Sequence, residues 1–206
     1  MKPTSIILLL SIIAILIITY FSLQTGQSPE EYKAQILKER EEKDLFMLNS
    51  EESPFAKAEE KATHLNYFGP DLNYKITARL IDIPSKKMIL LPTSSGEEDR
   101  YLEYAYAEFE LDGQTNKLLI LELVNEGATK GQLFLAFADA TSASETYGAG
   151  RYLDIKKVPA ATSVVLDFNK AYNPYCAYND NFSCPFPPKE NILSIEVRAG
   201  EKSYHD

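Results

Sequence analysis

Histidine and cysteine, two residue types that often carry catalysis and metal binding, are scarce in this chain. Its 206 residues include no tryptophan, two histidines (His64 and His205) and two cysteines (Cys176 and Cys184). The histidines lie far in sequence from the cysteines, so no zinc-site spacing occurs, and a serine or cysteine nucleophile has few possible bases. The G-x-S-x-G, G-x-G-x-x-G and Walker sequences are also missing. We therefore predict no metal site, and the sequence identifies no cofactor.

Positive charge is the second shortage. Lys and Arg number 21 against 30 Asp and Glu, which leaves a formal net charge of −9. The phosphates of a nucleic acid or of an anionic membrane surface would repel such a domain. We therefore predict no nucleic-acid partner. With 45% hydrophobic residues, the chain is long enough to bury one core, so one main domain is expected.

A long hydrophobic run lies at the N-terminus. Residues 6–23 carry no charged side chain, and as a helix they would reach about 27 Å, close to the ~30 Å of a bilayer core. Lys2 precedes the run and Glu30 and Glu31 follow it, which favours a domain outside the cytoplasm. We expect residues 1–27 to anchor the chain in the membrane, with a cleaved signal peptide as the alternative.

Residues 28–68 have the pattern of a helical entry segment. Ser28, Pro29 and Glu31 form a cap, a first-turn proline and a capping box. The predicted helix runs to about Leu48, and a second, short helix is predicted over residues 55–65. The candidates for the buried face of the first helix are Tyr32, Ile36, Leu37, Leu45, Met47 and Leu48. Its charged middle, residues 38–44, is typical of a solvated face or of a stalk that contacts a partner.

From residue 69 onward the pattern changes to strands. Alternating apolar and polar residues, rich in β-branched and aromatic types, predict eight or nine strands, the last of them ILSIEVRAG. Asp112 and Gly113 join LEYAYAEFEL to KLLILELV in a hairpin. No helical pattern alternates with these strands, so a parallel sheet is disfavoured. We predict a mainly β (α+β) protein with an antiparallel barrel or sandwich over residues 69–206.

Polar residues concentrate in two stretches between predicted strands, where a rigid scaffold commonly presents functional groups. In the loop 139–151 the candidates are Asp139, Thr141, Ser142, Glu145, Tyr147 and Arg151. In residues 167–176 they are Asp167, Asn169, Tyr172 and Asn173. Such a set of Tyr, Asn and Asp is suited to a sugar or another small polar molecule. Asp139, Glu145 and Asp167 are also the candidate catalytic carboxylates.

Two of these residues have a structural alternative. Arg151 could clamp a carboxylate or phosphate, or it could pair with Asp139 or Asp167 and lock the loop. Gly150, directly before it, permits close backbone approach. Asn173 precedes Pro174, a combination that is common in turns.

Cys176 and Cys184 are separated by seven residues in a proline-rich segment. In an exported protein a disulfide between them is the first expectation. Metal ligation and free or redox-active thiols are the alternatives, although the spacing is not C-x-x-C.

Several linked sequences identify a family resemblance. FADATS, TYGAGRYL, LDFNKAYNPYCAY, CPFPP and EVRAGEK together resemble the bacterial envelope proteins grouped as domain of unknown function 1684. EREEKDLF and LNYFGPDLNYKITARL extend the resemblance over roughly residues 39–202. Relatives tend to read G-G-G-R where this chain has Gly148-Ala149-Gly150-Arg151. The resemblance implies an exported domain with no established activity.

These observations combine into one functional expectation. The domain is expected in the bacterial cell envelope, anchored to the inner membrane with its β domain in the periplasm, or secreted there after signal cleavage. We expect it to bind a small polar or anionic ligand, or an envelope protein, at loops 139–151 and 167–176. The alternative is a carboxylate-dependent hydrolase that uses Arg151.

Overall fold

The computed structural model describes residues 27–56, 58, 61–124 and 131–205. The predicted membrane segment, residues 6–23, lies outside these ranges. Within them, no helix combines the length and hydropathy needed to cross a bilayer.

The long helix α1 (Pro29–Asn49) begins as predicted. The Ser28 hydroxyl accepts from the Glu31 amide at 3.2 Å, and the Glu31 carboxylate accepts from the Ser28 amide at 3.1 Å. Pro29 lies in the first turn, where its missing N–H costs no helical hydrogen bond. The capping box therefore satisfies free amides at this end, and the helix ends one residue beyond the predicted Leu48.

The buried face of α1 is narrower than predicted. Its buried members are Tyr32, Ile36 and Met47. The prediction was wrong for three leucines, which are 39–54% exposed: Leu37, Leu45 and Leu48. The charged run is also not fully solvated, because Arg40 donates to two backbone carbonyls and Lys43 to the Glu201 carboxylate. The face of α1 that meets the domain therefore combines apolar and cationic side chains.

The second helix predicted over residues 55–65 is not found in the described part of that stretch, which forms turns and extended backbone. Phe55 and Leu65 instead pack with Met47 of α1 and with Tyr178. Phe55 and Leu65 each contact the domain separately, so their burial does not require the single apolar face of a helix.

Seven strands follow α1 in the described chain. They are β1 (Lys75–Asp82), β2 (Met88–Pro92), β3 (Glu98–Leu111), β4 (Gln114–Leu123), β5 (Leu133–Phe137), β6 (Arg151–Ile155) and β7 (Ser163–Asp167). Asp112 and Gly113, with φ of 54° and 68°, form the tight turn between β3 and β4, so the predicted hairpin is confirmed.

All strand pairs are antiparallel, and they form one sheet in the order β6-β5-β4-β3-β1-β7, with β2 also pairing with β3. The prediction of a mainly antiparallel β fold is confirmed. The sheet curls so that its edge strands β6 and β7 approach each other, and the described residues form no second sheet. The architecture is therefore a half-barrel with one long helix rather than a sandwich.

Both faces of the sheet are buried over its central strands, because successive side chains of a strand point to opposite sides. Leu118 and Ile120 belong to the core inside the curl, together with Phe137 and Phe168. The second core, outside it, contains Leu119, Leu121, Phe134, Tyr152, Cys176 and Cys184. The C-terminal third of the chain therefore packs against both faces of the sheet.

The prediction of a strand over ILSIEVRAG, residues 192–200, was wrong in one respect. Leu193, Ile195, Val197 and Ala199 are buried at alternate positions, as in a strand. Their segment joins no ladder, however, and its backbone bonds go to the chain beyond β5: Leu193 donates to Ala138 O, and Ala140 donates to Ile195 O. The segment therefore fills the core without becoming part of the sheet.

Asn191 anchors the start of this segment. Its side-chain amide donates to Leu119 O at 2.9 Å and Ala136 O at 2.7 Å, and its oxygen accepts from Leu119 N at 2.6 Å. Two residue pairs join β4 to β5, and Asn191 bridges the two strands beyond that ladder. One fully buried amide thus satisfies backbone groups that strand pairing leaves open.

Candidate functional site

Arg151, the first residue of β6, is buried, and both of its terminal nitrogens are bonded to the protein. It is 1% exposed. One terminal nitrogen donates to Asp139 Oδ2 and to Val197 O, both at 2.8 Å. The other donates to the carbonyls of Ala199 and Glu201. This geometry favours the lock over the ligand clamp, since the guanidinium faces a carboxylate and three backbone carbonyls instead of solvent.

The loop 139–151 folds around the carboxylate of Asp139. Asp139 Oδ1 accepts from the amide of Thr141 at 2.8 Å, from its hydroxyl at 2.6 Å and from Val197 N at 3.1 Å. Ser142 Oγ accepts from the Asp139 amide at 3.1 Å. Glu145 lies at the surface, 2.8 Å from Arg198. Asp139, Thr141, Ser142 and Arg151 therefore bond within one group, while Glu145 and Tyr147 have partners outside the loop. Asp139 and Glu145 do not share a pocket.

Gly150 explains how the loop comes so close to the sheet. Its φ is +89°, and an added Cβ would lie 2.6 Å from Phe137 O and 2.7 Å from Pro187 Cγ. Only glycine fits this position. Ala149, directly before it, is partly exposed.

Asp167 lies in a second buried group, away from Arg151. Its Oδ1 accepts from the Tyr32 hydroxyl of α1 at 2.6 Å and from Asn169 Nδ2 at 3.2 Å. Asn169 in turn donates to Asp71 O at 2.7 Å. Burial raises the pKa of Tyr32 above its usual range, and the bond to Asp167 adds to this effect. The group therefore fixes α1 to the end of β7 as a hydrogen-bonded contact.

Asn173 belongs to a third buried group, centred on a residue that the sequence did not single out. Glu201, 1% exposed, accepts from Asn173 Nδ2 at 3.0 Å, from Lys43 at 2.8 Å and, in a short bond, from the Tyr178 hydroxyl. A lone glutamate near the chain end gives no sequence signal for burial. The Arg151 and Glu201 groups fasten the C-terminal segment to β6, to α1 and to residues 173–178, whereas the Asp167 group fastens α1 to the end of β7.

An aromatic cleft lies on the outer face of the sheet, and we define it by its six rings: Tyr101, Phe134, Tyr152, Tyr172, Tyr175 and Phe182. Its volume is about 350 Å³. The first four rings form a continuous row, with centroids 4.7–6.0 Å apart. Tyr175 and Phe182 stack edge to face at 5.3 Å. Strands β3, β5 and β6 thus supply the floor of the cleft, and residues 172–185 supply a wall.

One carboxylate and several fixed hydroxyls accompany the rings. Asp154, on the same face of β6 as Tyr152, is exposed and accepts from the Tyr172 hydroxyl at 2.9 Å. The Tyr152 hydroxyl donates to Pro185 O at 2.6 Å. Burial raises the pKa of Tyr172 above its ordinary value, and the charge of Asp154 raises it further. Tyr172 therefore stays protonated and keeps donating to Asp154.

Of the candidate ligand-binding residues, Tyr172 is the one that the structure brings to the aromatic cleft. The other five rings and Asp154 were not predicted as a site, because they are scattered along the sequence. The signal available in the sequence was its content of 13 tyrosines and no tryptophan. Tyrosine is common at binding surfaces, but its number does not show where on the protein such a surface lies.

Cys176 and Cys184 lie against the floor of the cleft as free, buried thiols, so the predicted disulfide is not present in this structure. The Cys176 amide donates to Cys184 Sγ at 3.2 Å, and the Cys184 amide donates to Ser94 Oγ at 3.1 Å. The hydrogen bond between the two thiols lowers the pKa of Cys176 to about 6, while it raises the pKa of Cys184. The two thiols are therefore neighbours, as a disulfide between them would require, and Cys176 is the more acidic of the two.

Within the described residues, no cluster of three or more His, Cys, Asp or Glu side chains could hold a metal ion. Among these residues, Cys176 and Cys184 therefore lie next to each other without a third side chain that could complete a metal site.

The fold and the cleft define a class: a small antiparallel β domain with one helix and a surface cleft of ligand size. Residues 60–202 match the model of a family described as a protein of unknown function (DUF1684). The chain belongs to this family, and the resemblance found in the sequence is confirmed. The solution NMR structure of an uncharacterized protein from Haloarcula marismortui is similar, with 33% sequence identity and a TM-score of 0.65. That match covers 86% of this chain and 97% of the other. No match is found among curated proteins.

Proposed function

We propose that this protein is a binding domain whose aromatic cleft holds a small organic ligand. The observation that carries the proposal is the convergence of six aromatic rings and one carboxylate on a single cleft of about 350 Å³. Ligand pockets are typically 300–1,000 Å³ in volume, mostly apolar, with a few placed polar groups. The position of the cleft is also typical, since it lies between a rigid sheet and an irregular segment that covers part of it.

Removal of the Phe182 ring tests this function. Benzyl alcohol serves as a neutral probe, and its binding to the full-length chain is followed by chemical-shift titration. Phe182→Ala is expected to weaken binding about threefold to tenfold, because one aromatic contact contributes ~0.5–1.5 kcal/mol. Phe182 is 36% exposed, so its removal leaves the core packed.

Phe186 provides the matched control. It lies four residues further along the same segment, is also 36% exposed and does not line the cleft. Phe186→Ala is expected to bind benzyl alcohol as the wild type does. Equal affinities for wild type and Phe182→Ala, or equal losses in both variants, would contradict a ligand site in the cleft.

We further propose that the domain is exported and held at the membrane by residues 6–23. This proposal is supported by the uncharged run of 18 residues, by Lys2 on one side of it and by the acidic domain on the other. Export would place Cys176 and Cys184 in an oxidising compartment, where neighbouring thiols form disulfides. Their adjacency in the structure supports this second step.

One fractionation experiment tests both steps. After alkaline carbonate extraction of cells that express the full chain, the protein is expected in the membrane pellet. Non-reducing mass spectrometry of that pellet is expected to show Cys176 linked to Cys184. Release into the supernatant would point to cleavage near Gln27 instead of an anchor, and free thiols in the exported protein would rule out the disulfide.

The hydrolase alternative gains no support from the positions of its residues. Asp139 is paired with Arg151, Asp167 is bonded to Tyr32, and Glu145 lies at the surface beside Arg198. A general acid and a general base must each lie within hydrogen-bond reach of the proton that they transfer on one bound substrate. These three carboxylates lie in separate surroundings, so we do not propose a hydrolytic reaction.

A further inference from the structure

The charge of the aromatic cleft is of one sign. Asp154 is the charged residue among the described residues that line it, and no lysine or arginine does so. A carboxylate that faces a cleft and has no counter-ion among the residues that the structure describes repels anions and attracts cations. The formal net charge of −9 adds a long-range field of the same sign. The cleft therefore disfavours the anionic ligand that the sequence suggested.

The aromatic rings have the same preference. The face of an aromatic ring carries partial negative charge, so a cation within about 6 Å of the ring centroid is attracted. Four rings in a row and the Tyr175–Phe182 pair line one volume, so a cation bound there would lie close to several aromatic rings. A permanently charged alkylated amine suits this environment better than a metal ion, because its methyl groups also bury apolar surface.

Cations elsewhere in the molecule already use tyrosine rings in this way. Lys117 Nζ lies 3.8 Å from the centroid of Tyr106, and Lys43 Nζ lies 4.9 Å from that of Tyr172. Lys43 is itself paired with Glu201 at 2.8 Å and does not line the cleft. Tyr172 therefore already has one cation over its ring, whereas the other five rings of the cleft have no such contact with a lysine or arginine in the part of the chain that the structure describes.

Asp154 is held where it can meet such a cation. Tyr152 and Asp154 are two residues apart on β6, so they point to the same face of the sheet. The Tyr172 hydroxyl donates to Asp154 Oδ1, which leaves the second carboxylate oxygen available. The carboxylate is thereby oriented at the edge of a row of rings.

We propose that the ligand of the aromatic cleft is a small organic cation of the alkylated-amine class, with Asp154 as its counter-ion and the tyrosine and phenylalanine rings around its alkyl groups. The proposal rests on the proposed binding function. Cation–π contacts and one exposed ion pair together supply the preference for charge.

Choline and its neutral isostere 3,3-dimethylbutan-1-ol test the inference, since they differ in charge but hardly in shape. Binding of each to the full-length chain is measured by chemical-shift titration. Choline is expected to bind about tenfold more tightly than the alcohol. Asp154→Asn, which keeps an oxygen to accept from Tyr172, is expected to weaken the binding of choline much more than that of the alcohol and so to remove most of this difference.

Asp82→Asn is the matched control, because Asp82 is an exposed carboxylate at the end of β1 and does not line the cleft. It removes the same charge from the domain and is expected to keep the preference for choline. Equal binding of the two probes by the wild type would overturn the cation inference but leave the binding function standing. Binding of neither probe would overturn both. An equal loss in Asp82→Asn and Asp154→Asn would show an effect of net charge and overturn the role of Asp154.

Discussion

Replacing Arg151 by methionine is expected to lower the free energy of unfolding by about 3–5 kcal/mol, the usual loss when one partner of a buried ion pair is removed. The substitution leaves the Asp139 carboxylate, whose side chain is fully buried, without its cation. It also removes donors from the carbonyls of Val197, Ala199 and Glu201. Methionine retains much of the volume, so the loss reports on charge and hydrogen bonding. Urea unfolding followed by circular dichroism measures it.

Arg198→Met is the control for this prediction. Arg198 lies in the same C-terminal segment and forms ion pairs with Glu145 and Glu196 at the surface. Pairs that are exposed to water contribute little, so no measurable change in the free energy of unfolding is expected. Adding Asp139→Asn to Arg151→Met is expected to return part of the loss, because a neutral amide leaves no unpaired buried charge. A similar small effect of Arg151→Met and Arg198→Met would contradict the lock.

The sequence predicts those parts of the fold that depend on neighbouring residues. Ser28, Pro29 and Glu31 determine a helix start through bonds across one turn. Asp112 and Gly113 determine a hairpin because both adopt a positive φ that few other residues accept. In each case the interacting groups lie within a few residues, and composition rules describe them well.

The sequence fails where the partners are distant. Leu37 and Leu45 have the same composition signal as Ile36, but the domain reaches only one stripe of α1, and that stripe includes Arg40 and Lys43. Residues 193–199 alternate as in a strand, yet their backbone–backbone hydrogen bonds join them to residues 138–140 beyond β5 and not to a neighbouring strand. The periodicity of apolar residues in a sequence indicates which side of a segment is buried. It does not indicate which residues cover that side.

The candidate site shows the same limit more strongly. The polar groups of loop 139–151 were placed in a functional site because polar loop residues commonly are, but the structure uses Asp139 and Arg151 to hold the C-terminal segment. The aromatic cleft is formed by rings from positions 101 to 182, which only the pairing of β3, β4, β5 and β6 brings together. Tyr172 was identified because it lies in a conspicuous polar stretch, not because of its neighbours in space.

Gly200→Ala is expected to lower the free energy of unfolding by about 2–5 kcal/mol, with a left-handed backbone and steric overlap both contributing. Gly200 has a φ of +78°, and an added Cβ would lie 2.6 Å from both Phe168 O and Ala171 O. These are backbone atoms beside the Asp167 group, so they cannot turn aside. Relief would require the chain to retreat from Ala171, whose carbonyl accepts from the Glu201 amide.

Gly96→Ala separates the two contributions. Gly96 has a similar φ of +84°, but no heavy atom lies within 4 Å of the added Cβ. Its replacement is expected to cost only the backbone term, about 1–2 kcal/mol. Urea unfolding of both variants measures the difference, which reports on how tightly residues 199–201 pack against the end of β7. Equal losses of unfolding free energy in the two variants would mean that the C-terminal segment can move far enough to admit a methyl group. The bonds between Arg151 and this segment could not then depend on the segment being held in one position.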